Sequence, residues 1–153
     1  MLKLLDKLMF KLNRKRLVYD RVDGEVYLTR YYLFLKERTK CPFNIFLHKF
    51  HKSDDEVFHN HPWPFATVIL KGGYWEWLPI FDAQGRKTGE VSRWCGAGSF
   101  RTAKANTYHR IELDPDITCW TLFMPGIKQR DWGFLVKNKW VQWEQYLAQR
   151  KLA

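Results

Sequence analysis

Cysteine is scarce in this sequence. Cys41, Cys95 and Cys119 are odd in number and far apart, and no C-x-x-C pair occurs. That pattern fits reduced thiols in a cytoplasmic protein rather than a disulfide framework. Nothing marks either Cys95 or Cys119 as an activated nucleophile. Long apolar runs are missing too: no stretch approaches the roughly 20 residues of a membrane span. Asp6, Lys7 and Lys11 interrupt the N-terminal apolar residues, so no secretory signal is expected there. No G-x-S-x-G elbow is present. Gly96-Ala97-Gly98 leads into an expected strand rather than a helix, which excludes a phosphate-cradling loop.

Acidic residues are also in short supply, 16 against 26 Lys and Arg, leaving a net charge of +10. Such a balance invites nucleic acid, because clustered cations bind phosphates. The excess gathers instead at the two ends, at Lys3, Lys7, Lys11, Arg14, Lys15 and Arg16, then at Lys137, Lys139, Arg150 and Lys151. No zinc-finger spacing or aromatic-basic RNA signature accompanies it. Solvated surface charge is the favoured account, and nucleic-acid binding the lesser one.

What remains is a globular composition with 46% hydrophobic, 27% charged and 17% aromatic residues, eight of them Trp. Heavy aromatic content favours strands and an aromatic-lined interior. Residues 2–16 read as a basic amphipathic helix, with Leu5, Leu8, Met9 and Leu12 at helical spacing. It is expected to lie over the domain or a partner subunit; association with an anionic membrane surface is the alternative. From Val18 the period shortens. Asp23-Gly24 suggests a hairpin between Tyr19–Val22 and Glu25–Lys36, and Phe43–Phe50 a further strand. Strands are also expected at Ala66–Leu70, Tyr74–Ile80, about 90–95, 99–104, 107–113, 117–124 and Trp132–Val136. A short helix over Gln142–Lys151 closes the chain. With no linker, repeat or low-complexity segment, residues 1–153 read as a single all-β domain, a closed sandwich or barrel.

The stretch with the most chemistry is Val57-Phe58-His59-Asn60-His61-Pro62-Trp63-Pro64-Phe65. If it is extended, alternation turns His59 and His61 to one face, and converging imidazoles suit a metal ion. His109 is a third candidate ligand. The competing account is that these are ordinary barrel histidines with satisfied hydrogen bonds.

These residues resemble the motifs of the cupin superfamily, a small double-stranded β-helix or jelly-roll barrel. Its first motif sets a glycine ahead of an H-x-H pair, then a glutamate and a closing glycine. Here His59 and His61 match the pair, and Gly72 or Gly73 falls at the close. The second motif, P-x-G-x-x-H, aligns with Lys104-Ala105-Asn106-Thr107-Tyr108-His109. Ser53, Lys104 and Asn106 depart from it, and the glutamate ligand position falls at Phe65 or Ala66. The resemblance covers roughly residues 43–124, the expected barrel core. The three-histidine remainder is similar to the thiol dioxygenase branch, which implies ferrous iron with positions open for substrate and oxygen. The wording His-Pro-Trp-Pro-Phe, Gly-Gly-Tyr-Trp-Glu and Trp-Gly-Phe is also similar to small bacterial and phage cupin-like proteins.

On that resemblance the metal ligands are His59, His61 and His109. The expected ion is divalent, iron first, with zinc, manganese and nickel as other candidates. Trp63 and Phe65 are expected to wall the pocket. Arg101 is a candidate clamp for an anionic substrate, and Tyr108 and Thr67 are candidate polar pocket groups. Glu76 is a candidate base or displaced ligand, although a solvent-facing carboxylate is the favoured account of it. Arg110 follows His109 directly and should face away, while His48 and His51 read as structural. The expected function is oxygen-dependent oxidation of a small anionic substrate by a homodimer. A non-enzymatic sugar- or nucleotide-binding barrel, and a metal-free sugar isomerase or epimerase, are the alternatives.

Overall fold

A computed structural model describes residues 2–20, 23–36 and 41–151. Arg21 and Val22, the end of the first expected hairpin strand, lie outside them. Helix α1 (Leu2–Lys11) leads into β1 (Lys15–Tyr19), β2 (Val26–Tyr32) and β3 (Phe46–Phe50). Strands β4 (Phe65–Lys71), β5 (Gly73–Phe81), β6 (Lys87–Gly96), β7 (Phe100–Ala103), β8 (Arg110–Glu112) and β9 (Trp120–Pro125) follow. The hairpin β10 (Gly133–Val136) and β11 (Lys139–Gln142) precedes helix α2 (Trp143–Lys151). No helix among the described residues is long and apolar enough to cross a membrane.

Six strands form one antiparallel sheet in the order β1-β2-β3-β9-β4-β7, and three form another in the order β6-β5-β8. Ile69, Tyr74, Cys95, Ile111 and Cys119 make one buried cluster drawn from both sheets, so the sheets face each other across it. The other face of the six-stranded sheet buries Tyr31, Leu47 and Trp120 against Met9 and Leu5 of α1. Strand alternation accounts for the split. Tyr31 and Leu47 face out, while their neighbours Arg30 and His48 face in on the adjacent paired row.

The N-terminal helix is shorter than its apolar spacing suggests. It ends at Lys11 because Asn13 takes a left-handed turn at φ 54°, a conformation Asn tolerates. Lys15–Tyr19 then pair with β2 instead of continuing the helix. The strand β11 has no strong sequence signal. Lys137 and Asn138, both at positive φ, make the two-residue turn that folds it back onto β10.

The H-x-H stretch is extended without forming a strand. Pro62 and Pro64 carry no amide donor, so a ladder cannot run through them. The segment makes isolated bridges at His59, to His109 on one side and to Phe134 on the other.

Candidate metal centre

Backbone hydrogen bonds fix the H-x-H segment from both sides. The His59 and His109 amides each donate to the other's carbonyl, at 3.0 and 2.9 Å. On the far side the Asn60 amide donates to the Gly133 carbonyl at 3.0 Å, and the Gly133 amide donates to Asn60 Oδ1 at 2.9 Å. Gly133 has no room for a side chain, since a Cβ there would lie 2.2 Å from the Val141 carbonyl oxygen. Asn60, between the two histidines, is fully buried and points to the opposite side. His59 and His61 therefore share a face.

On that face three imidazoles converge. One ligand nitrogen from each of His59, His61 and His109 lies within 4.8 Å of the others. His61 Nε2 and His109 Nε2 are 2.8 Å apart. Two nitrogens bound to one ion at ~2.1 Å each, at about a right angle, would be separated by ~3 Å. The donor set therefore fits a single metal ion.

Behind His109 lies the residue that the sequence reading underrated. Glu76 does not face solvent; it is 2% exposed, and its Oε1 lies 3.0 Å from His109 Nδ1. A carboxylate accepts, so His109 carries its proton on Nδ1 and turns its Nε2 lone pair toward His61. Arg101 donates twice to Glu76, through Nε at 2.7 Å and Nη2 at 2.8 Å, and Arg93 Nε adds a third contact at 2.9 Å. Burial pushes the Glu76 carboxyl up, but the hydrogen bonds from His109 and Arg101 outweigh it and hold the group ionised. Arg101 is thus engaged with Glu76. The signal available in the sequence was strand parity: Glu76 faces Ile111 across β5 and β8, on the core side.

The other named residues are placed as follows. His59 Nδ1 lies 3.8 Å from Asp54, whose carboxylate accepts from the Tyr27 hydroxyl and the Ile111 amide. Phe65 packs edge-on against His61 at 4.8 Å between ring centroids, and Trp63 lines the same cavity. Thr67 also lines it and donates to the Leu122 carbonyl at 3.1 Å. Tyr108 lies outside that lining, its ring 6.3 Å from Phe81. Arg110 faces away as alternation requires, stacked 4.5 Å above Trp77. His51 bonds Thr29 at 2.8 Å. His48 lines the cavity, a volume of about 430 Å³ onto which His59, His61 and His109 all open.

Burial drives the His59 pKa down to about 4; Asp54 opposes that shift and His109 adds to it. His61 is held well below its usual value by burial, and by His109 and His59 beside it. Neutral imidazole is the ligand form. The metal-free protein should consequently lose stability in acid. Between pH 6.5 and about 4 the unfolded chain binds a proton at His59 that the folded chain does not, so stability falls as the pH drops. One such group contributes a slope of about 1.4 kcal/mol per pH unit and nothing above its ordinary pKa. His61 and buried His48, both held well below the ordinary value, steepen the loss. Urea denaturation of metal-free protein at several pH values checks this; a flat profile through that window would mean that His59 is not buried in neutral form.

No family model matches the sequence, and no curated protein matches it. Solved structures do. The polyketide cyclase RemF from Streptomyces resistomycificus aligns over 72% of each chain at 20% identity, with a TM-score of 0.53. A cupin-2 domain from Rhodospirillum rubrum aligns over 90% of this chain and 82% of its own, at 13% identity and a TM-score of 0.55. Hydroxypropylphosphonic acid epoxidase from S. wedmorenis aligns over 74% of this chain at 11% identity, with a TM-score of 0.51. The match spans just over half of that enzyme's length, 56%. The chain has the cupin fold.

Proposed function

We propose that this cupin-fold chain is a mononuclear metal-dependent enzyme that oxidises a small anionic molecule with oxygen. The observation that carries the proposal is the convergence of His59, His61 and His109 within 4.8 Å at the wall of an open cavity. Three protein ligands leave positions free for substrate, as catalytic sites do and closed structural sites do not. Once bound, the ion would supply Lewis acidity and a place to activate oxygen. Iron stands first among the candidates, ahead of zinc, manganese and nickel; the epoxidase sharing this fold has been crystallised with Fe(II).

The chain's own residues have defined parts in this reading. Glu76 holds His109 in the tautomer that presents Nε2, and Arg101 and Arg93 hold Glu76. Phe65 and Phe123, in contact at 5.1 Å, give the cavity an apolar wall that excludes water from one side. Metal analysis of untagged protein, followed by oxygen uptake with Fe(II) and a panel of small carboxylates, tests the proposal. Stoichiometric metal with uptake above the free Fe(II) background is expected. A retained organic ligand without metal, seen by native mass spectrometry, would establish the binding-module reading instead, which the aromatic lining also suits.

A further inference from the structure

The carboxylates lining the cavity already have partners. Asp20 pairs with Lys52 at 3.0 Å, Asp54 accepts from Tyr27 and the Ile111 amide, and Asp55 pairs with Arg150. Arg30 lines the same cavity and forms no ion pair among the described residues. Its guanidinium lies 4.6 Å above the Phe46 ring, and its Nε donates to His48 Nε2 at 3.0 Å. Burial disfavours its charge; Tyr32 offsets part of that effect, and Arg16 adds repulsion. A desolvated cation without a counter-ion is costly.

That hydrogen bond also settles the protonation of His48. A guanidinium has donors only, so Nε2 must accept and the ring proton must sit on Nδ1. His48 is 3% exposed, yet its Nδ1–H has no hydrogen-bond partner among the described residues. Thr121 stands opposite His48 in the sheet, is 2% exposed, and its hydroxyl takes part in no hydrogen bond among the described residues. Three donors thus stand in one inward-facing row, Arg30, His48 and Thr121, across β2, β3 and β9.

We infer that this row anchors the anionic group of the substrate, and that the group is a carboxylate. Arg16, opposite Arg30 in the sheet, also lines the cavity without an ion pair among the described residues, but it is exposed to solvent. The half-buried guanidinium of Arg30 matches one negative charge, and its flat fork matches a carboxylate's geometry. Phe123 separates the anchor from the three histidines, its ring 5.2 Å from that of His48 and 6.4 Å from that of His61. The substrate class is then a small monocarboxylate, held at one end by Arg30 and reaching past Phe123 with the other. This deepens the enzyme reading above and rests on it for the identity of the reacting end.

Titration of metal-free, untagged protein with propionate, followed at the His48 ring by heteronuclear NMR, tests the anchor separately from the metal. The Nδ1-protonated tautomer should be present before addition, and propionate should shift it saturably. Propionamide should bind at least about tenfold more weakly, and Arg30→Met should weaken propionate by a similar factor. Equal affinity for propionate and propionamide, or undiminished binding to Arg30→Met, overturns the anchor. Tighter binding of inorganic phosphate than of propionate overturns the carboxylate assignment. Should Arg30→Met fail to fold, the comparison of the two ligands on the unmodified protein decides alone. Propionate binding to a protein that takes up no metal would sink the enzyme reading and leave the anchor standing.

Discussion

Replacing His109 with alanine is expected to abolish stoichiometric metal binding. The side chain supplies one of the three converging nitrogens, and its Nδ1 is hydrogen-bonded to the buried carboxylate of Glu76. Loss of an outer partner typically costs ten- to hundredfold in metal affinity, and loss of a ligand should cost more. Metal content by mass spectrometry should fall from about one equivalent to below about a tenth of that. The second readout is thermal. A ligand at a hundred times its dissociation constant stabilises a folded protein by about 2.7 kcal/mol. His109→Ala should not show that metal-dependent rise. His59→Ala combined with His109→Ala makes the test decisive: a full equivalent of metal in the double variant would end the three-histidine reading.

Glu76 is expected to matter for both folding and metal, and the two effects can be separated. Glu76→Ala leaves Arg101, whose side chain is 14% exposed, facing an interior without its carboxylate. Breaking a buried pair from one side costs about 3–5 kcal/mol, so urea denaturation should show a loss of that order. Glu76→Gln keeps the volume and an acceptor for His109 but discards the charge that strengthens the imidazole as a ligand. Its metal affinity should drop by roughly ten- to hundredfold. Joint replacement of Glu76 and Arg101 by Met should recover stability without recovering metal affinity, because buried pairs are often replaceable by apolar residues of similar volume. If Glu76→Ala lies within about 1 kcal/mol of the unmodified protein, the pair has no structural role.

Much of the fold could be read along the chain. Gly72-Gly73 marks the turn between β4 and β5, and Gln84-Gly85 the tip between β5 and β6; Gly72 and Gly85 take positive φ. Phe46, His48 and Phe50 share a face as alternation requires, with ring centroids 5.8 and 6.0 Å apart along the strand. The helix boundary was not readable in this way. Apolar spacing persists past Lys11, but Asn13 breaks the helix, and the edge of β2 offers Lys15–Tyr19 a ladder. Periodicity carries no information about a pairing partner still distant in sequence.

The candidate site divides along the same line. The sequence by itself determined the three histidines, because H-x-H places two side chains on one face whenever the backbone is extended. The third is separated from His61 by 48 residues and was reached through a motif rather than through geometry. Only the tertiary structure decided what surrounds them. It turned Glu76 inward, committed Arg101 to it, and left Arg30 half-buried in the cavity wall without an ion pair among the described residues. The reason is physical: a charged residue's role depends on which opposite charge lies within a few ångströms of it. Those neighbours come from strands β2, β5 and β7, which adjoin the histidines only once the sheets have closed.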